Sequence, residues 1–138
     1  MLHIYKASAG SGKTYTLTLE YIKLLLGYRD EEGHYRIYRK SDSAHRRILA
    51  VTFTNKATEE MKHRIVAQLD LLAHHTGRSP YLGELTRLFG CGPEQVQATA
   101  ADTLYVLLHD FSYFNISTID RFFQQVLRNF PREVGCLL

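Results

Sequence analysis

The sequence is poor in the features that most quickly assign a chain to a class. Cysteine occurs only at Cys91 and Cys136, far apart and without metal-ligand spacing, so neither a disulfide framework nor a zinc knuckle is indicated. Buried or idle thiols are expected. The seven histidines are scattered apart from His74 and His75, and neighbours on a helix point in different directions, so no zinc site is expected there. No apolar run approaches the length needed to cross a bilayer, and the opening MLHIYKAS lacks a cationic segment followed by an apolar stretch. A cytoplasmic chain with no membrane partner is expected. Neither charge sign dominates: 17 Lys and Arg against 14 Asp and Glu give a net charge of +3, with a pI near 8.9, which permits an anionic partner without demanding one. Internal repeats and low-complexity tracts are absent from the sequence.

What is present is enough apolar residue for one domain, 45% of 138 residues, and one conspicuous stretch, ASAGSGKTYTL from Ala7 to Leu17. A loop that grips phosphates needs small residues where the chain curls, inward backbone N–H groups, a lysine for the β- and γ-phosphates and a hydroxyl for magnesium. Gly10, Ser11, Gly12, Lys13 and Thr14 supply these in order. Thr14 then opens a helix whose N-terminal amides and dipole favour an anion. The strict pattern begins with glycine where this chain has Ala7. Allowing alanine there, such a match arises by accident in roughly one chain of this length in a hundred. Its setting narrows it further: LHIYK (Leu2 to Lys6) reads as a strand, and KTYTLTLEYIKLLL reads as a helix with Leu17, Tyr21, Leu24 and Leu25 near one face.

Gly27 is the expected stop of that helix, and GYRDEEGHYRIYRKSDSAHRR reads as a long connection with room for a small hairpin. Its basic residues Arg36, Arg39, Lys40, Arg46 and Arg47 read as a solvated face in preference to a polyanion contact. Ile48 to Phe53 is an apolar, β-branched run suited to a buried parallel strand, followed by a helix from about Thr58 to His74 that buries Met61, Ile65, Leu69 and Leu72. In an open α/β sheet, ligands gather beyond the carboxyl ends of the strands, where Phe53, Thr54 and Asn55 fall. An aromatic ring there can stack on a base, and hydroxyls or amides can hold a phosphodiester backbone.

ASAGSGKT and ILAVTFTNKATEEMKHRI together resemble the UvrD/Rep-type superfamily-one DNA helicases, and most of all their RecB/AddA-like helicase/nuclease branch. AVTFTNKA is similar to that family's motif Ia, and FNISTIDRFFQQVLRNF, Phe114 to Phe130, resembles its motif Ic. The resemblance implies an α/β fold: part of a P-loop, RecA-like domain with a parallel sheet flanked by helices. Residues 1–138 would be the N-terminal part of the first ATP-binding helicase domain, carrying motifs I, Ia and Ic. It also implies that Ala9, Gly10, Ser11, Gly12, Lys13, Thr14 and Tyr15 surround ATP, with Lys13 and Thr14 serving catalysis and Thr14 holding Mg2+. Tyr15 stands where many relatives carry arginine. Thr52, Phe53, Thr54, Asn55 and Thr118 would contact single-stranded DNA, with Phe53 stacking on a base. Where many relatives have histidine this chain has Asp120, which would repel a phosphodiester unless paired with a base or with Arg121. A second helicase/nuclease subunit is an implied partner.

The residues themselves also admit plainer readings. Phe53 at a strand end can close a core, and STIDRFF reads equally as a strand end, a cap at Thr118 and an amphipathic helix. Phe122, Phe123, Val126 and Leu127 are expected in the core. Between the motifs, a short helix is expected over Tyr81 to Phe89 and a longer one over Pro93 to His109, burying Val96, Ala100, Thr103, Leu104, Leu107 and Leu108.

A phosphate-loop motor also needs an acidic strand end for magnesium and arginines for the γ-phosphate. No apolar run ending in Asp-Glu comes after the third segment. The expectation is therefore the N-terminal piece of a larger ATP-dependent DNA helicase or helicase/nuclease of repair or recombination, inactive alone. A P-loop small-molecule phosphotransferase and a nucleotide-binding regulatory module share the loop, but neither calls for Phe53 or the STID segment. The curl around Lys13 and the tip bearing Phe53 are expected along one rim.

Overall fold

The computed structural model describes residues 6–7 and 11–129, with side chains from 14 to 128. Three short parallel strands, β1 (Lys6–Ala7), β4 (Ala50–Thr52) and β5 (Ile116–Thr118), form a sheet in the order β1-β4-β5. An antiparallel hairpin of β2 (Gly27–Arg29) and β3 (Tyr35–Ile37) makes a second, two-stranded sheet. The helices are α1 (Ser11–Leu26), α2 (Asn55–His74), α3 (Leu82–Phe89), α4 (Pro93–His109) and α5 (Ile119–Asn129). This is the α/β arrangement with a parallel sheet that the sequence predicts. Of the strand expected over Leu2 to Lys6, residues 2–5 lie outside the described residues, as does Cys136.

Helix α2 buries Thr58, Met61, Ile65, Leu69 and Leu72, a stripe spaced three or four residues apart. It packs most extensively against α4, and α1 touches both. Tyr21, Ile22, Leu25, Ile65, Leu69, Leu72 and Leu107 are fully buried where these helices meet. Each large apolar side chain sequestered in this way stabilises the fold by about 1.5–3 kcal/mol. Pro93 occupies the first turn of α4, where its missing N–H costs nothing. Gly90 ends α3 with φ +61°, a left-handed conformation that glycine adopts without strain.

Gly27 comes directly after α1 as expected, but not as a left-handed stop. It opens β2, and a Cβ there would lie 2.3 Å from the Arg36 carbonyl oxygen and 2.4 Å from the Phe89 ring. The hairpin and α3 are seated on the bare glycine. In the loop beyond, Arg36 pairs with Asp30 at 3.0 Å, Arg47 with Asp42 at 2.9 Å and Arg46 with Asp110 at 2.7 Å. Arg39 and Lys40 are exposed, with no ion pair among the described residues.

Two groups expected in the core are not there. Leu108 is 51% exposed, because α4 turns Leu104 and Leu107 inward. Phe123 is 56% exposed, and Phe122, Val126 and Leu127 do not reach the core either. Their spacing gives α5 an apolar face, but among the described residues α5 makes its main contacts with the strands β4 and β5. Cys91 is half-buried and unbridged, and burial raises its thiol pKa. No described helix is long and apolar enough to cross a membrane.

Candidate functional site

Strand register fixes the site. Ala7 pairs with Thr52, and Thr52 pairs with Thr118, so the last residues of all three parallel strands are level. The Phe53 tip into α2 and the start of α5 therefore leave the sheet at the end where β1 finishes at Ala7. Ala7 and Phe53 are thus brought to the same end of the sheet.

Ala9 and Gly10 lie outside the described residues, and for Ser11, Gly12 and Lys13 only the helical backbone is described. Helix α1 begins at Ser11, so the amides of its first turn have no intrahelical acceptor, and no acidic residue occupies that turn. A polyphosphate fits such an end, and Thr14, half-buried in the same turn, is a hydroxyl of the kind magnesium takes. The Thr14 carbonyl accepts from Thr18 Oγ1 at 2.7 Å.

Tyr15 is held from behind. Its carbonyl accepts the Tyr81 hydroxyl at 2.9 Å, and the two rings lie 4.7 Å apart. Burial and the neighbouring Tyr15 push the Tyr81 phenol up to about 12. Lys23 joins α1 to α3, contacting Glu20 at 3.2 Å and Glu84 at 3.1 Å. The start of α1 therefore rests on Tyr81, the residue just before α3, and its last turn is tied to α3 through Lys23 and Glu84, neither of which the motif pattern includes.

Phe53 is 55% exposed and does not close the core. Thr54 caps α2: its side-chain oxygen accepts from the Ala57 N–H at 3.0 Å. Asn55 and Lys56 are exposed in the first turn, which has no acidic residue. Thr118 accepts from the Arg121 N–H at 3.2 Å, so its cap role is realised, and Asp120 is exposed in the first turn of α5. Thr52 requires a correction. Expected to face a polynucleotide, its side chain is 1% exposed and turns inward to Thr58 and to the carbonyls of Thr54 and Ser117. β4 lies in the middle of the sheet and is buried at every residue, so its alternate side chains do not divide into core and surface.

Sequence reasoning missed Thr58, Ser117 and Tyr81. It also missed a clamp in which Asp110 accepts from Arg46 Nε and Nη2 at 2.7 and 2.8 Å and lies 2.6 Å from Nε2 of the buried His45. The Arg46 guanidinium, and secondarily His45, hold the Asp110 carboxyl down at about 2. These partners stand 64 or 65 residues apart, so no local pattern announces them. Among the described residues, no group of His, Cys, Asp or Glu could hold a metal ion.

The family described as UvrD/REP helicase N-terminal domain matches residues 3–137. The RecBCD enzyme subunit RecB of Escherichia coli is 31% identical over 138 residues, covering 97% of this chain and 11% of that protein. The subunit of the same name from Buchnera aphidicola of Acyrthosiphon pisum is 50% identical over 64 residues, 46% of this chain and 5% of its own length. DNA helicase II of Haemophilus influenzae is 41% identical over 73 residues, 53% of this chain and 8% of its own. The chain thus spans 11% or less of the length of these relatives. No solved structure gives a significant match.

Proposed function

The chain belongs to the UvrD/REP helicase N-terminal domain family, and from that premise we propose that it is the N-terminal part of the first RecA-like lobe of an ATP-dependent DNA helicase acting on single-stranded DNA in repair or recombination. The observation that carries the reading is the level ending of β1, β4 and β5, with Ala7, Thr52 and Thr118 in register. It supports one rim on which the phosphate loop and the polynucleotide contacts lie side by side, so that a change at one is felt at the other.

In this reading Gly10, Ser11, Gly12 and Lys13 cradle the phosphates of ATP, and Thr14 holds magnesium. Ala9 and Tyr15 border the nucleotide. Bound there, magnesium neutralises charge on the phosphates. Lys13 and the first-turn amides orient the chain of phosphates, while Tyr81, just before α3, holds the Tyr15 carbonyl behind that turn. Phe53 offers its open ring to a base, and Asn55 offers its amide to the backbone. Thr54 and Thr118 spend their oxygens on caps and keep their protons for a phosphate. Resemblance to RecB subunits supports, as the finer part of the proposal, a cytoplasmic helicase/nuclease assembly with a second subunit.

The test uses the full-length protein. ATP hydrolysis should rise on adding single-stranded DNA, and Lys13→Ala should abolish both basal and stimulated turnover. Hydrolysis indifferent to DNA but raised by a small phosphoryl acceptor would favour a phosphotransferase and overturn the proposal.

A further inference from the structure

We propose that the buried hydroxyls of Thr52 and Thr58 form one positioning device, fixing the Phe53 tip and the Thr118 cap relative to each other and so setting polynucleotide affinity from beneath the rim. The inference rests on the reading of that rim as the polynucleotide face. Thr52 is 1% exposed and Thr58 7%, so neither side chain is open to a ligand. Their oxygens bond each other, and both reach main chain. Thr52 Oγ1 lies 3.2 Å from the Thr54 carbonyl oxygen and 3.4 Å from that of Ser117, and Thr58 Oγ1 lies 3.2 Å from the Thr54 carbonyl.

Each hydroxyl has one proton to give, so the pair has two ways to satisfy itself. If Thr52 donates to Thr58, then Thr58 donates to the Thr54 carbonyl and Ser117 receives nothing from the pair. If Thr58 donates to Thr52, the Thr52 proton goes to Thr54 or to Ser117. The Thr54 carbonyl already accepts the backbone N–H of Thr58 at 3.1 Å, and the strand register gives the Ser117 carbonyl the backbone N–H of Thr52, so each carbonyl has one lone pair left and a hydroxyl bond to Ser117 is one of the arrangements open to the pair. In that arrangement the bond ties β4 to the residue immediately before Thr118. Phe53 stands between Thr52 and Thr54, both members of the network, so the backbone on each side of the exposed ring is anchored. A hydroxyl that merely filled the core would not need partners both at the start of α2 and on β5.

The experiment compares Thr52→Val, Thr52→Ser and Thr58→Val in the full-length protein. It reads backbone amide exchange at residues 53–58 and 118–122, affinity for an oligo-dT strand, and affinity for a fluorescent ATP analogue. Thr52→Val keeps the shape and removes the bond. It should speed exchange in both segments and weaken oligo-dT binding roughly 5- to 30-fold, with ATP-analogue affinity unchanged. Thr52→Ser should restore binding, which a purely steric role would not require. Should Thr52→Val fail to fold, Thr58→Val carries the same test from the other oxygen. Unchanged exchange and affinity, faster exchange confined to residues 53–58, or equal loss of nucleotide and strand affinity would each overturn the proposal. If Phe53→Ala leaves oligo-dT binding intact, the polynucleotide reading fails, while exchange at 118–122 in Thr52→Val still decides the coupling.

Discussion

Truncating Phe53 to alanine should cost the full-length protein strand affinity and little else. The ring is 55% exposed. For a side chain of phenylalanine's size, about 110 Å² then remains for a base to cover. At about 25 cal/mol per Å² that surface is worth up to about 3 kcal/mol, the upper end of what one stacked base contributes. Phe53→Ala should therefore raise the Kd for oligo-dT by roughly 10- to 100-fold in a fluorescence anisotropy titration. Phe53→Tyr should stay close to the parent, and Phe53→Leu should fall between, because it keeps apolar area but loses the flat face. Salt supplies a second readout. No phosphate contact is removed, so the slope of log affinity against log salt should not change. A Kd within about twofold of the parent would refute the stacking argument, and so would ATP-analogue affinity falling in step with strand affinity.

Other perturbations test the frame around the rim. Gly27→Ala forces a methyl group against the Arg36 carbonyl and the Phe89 ring, and should destabilise the lobe by about 1–3 kcal/mol, seen as a lower urea midpoint. Thr54→Ala removes the cap of α2 and should cost about 0.5–2 kcal/mol, with faster amide exchange in the first turn of that helix. The Asp110 carboxyl is held down at about 2, so its contribution is complete above the ordinary carboxylate range and is lost as pH falls from about 4 toward 2; Asp110→Asn should flatten stability against pH in that window. Tyr81, pushed up to about 12, works in the opposite sense: its neutral form is favoured in the fold, so stability is full below about pH 10 and declines above it. Tyr81→Phe should lessen the alkaline decline, of which the buried Tyr21 phenol, raised by desolvation, keeps a share.

Where chain chemistry is local, the sequence was a sufficient guide. Pro93 marks the start of α4, and its end at His109 agrees with the expected range. α2 begins at Asn55, three residues before the expected Thr58, because its polar first turn carries no apolar period; the cap at Thr54 was the available signal. The curl around Lys13 and the Phe53 tip are expected on one rim because parallel strands joined by helices bring their carboxyl ends together. Long-range partnerships were beyond such a reading. Nothing in the neighbourhood of Thr52 says that its hydroxyl meets Ser117, nor does the sequence around His45 point to Asp110. Periodicity shows that α5 has an apolar face, but it cannot show whether another element lies over Phe123.

Helix α1 connects the rim to the hairpin, and its sixteen residues make a rod about 24 Å long. Gly27 leaves no slack at the far end, since the hairpin backbone and Phe89 press directly upon it. The rod therefore behaves as a pointer: a tilt of about five degrees at Thr14 sweeps Tyr28 through about 2 Å. An event at the phosphate loop would be legible as a displacement at the most distant hairpin, with the helix itself unchanged in shape.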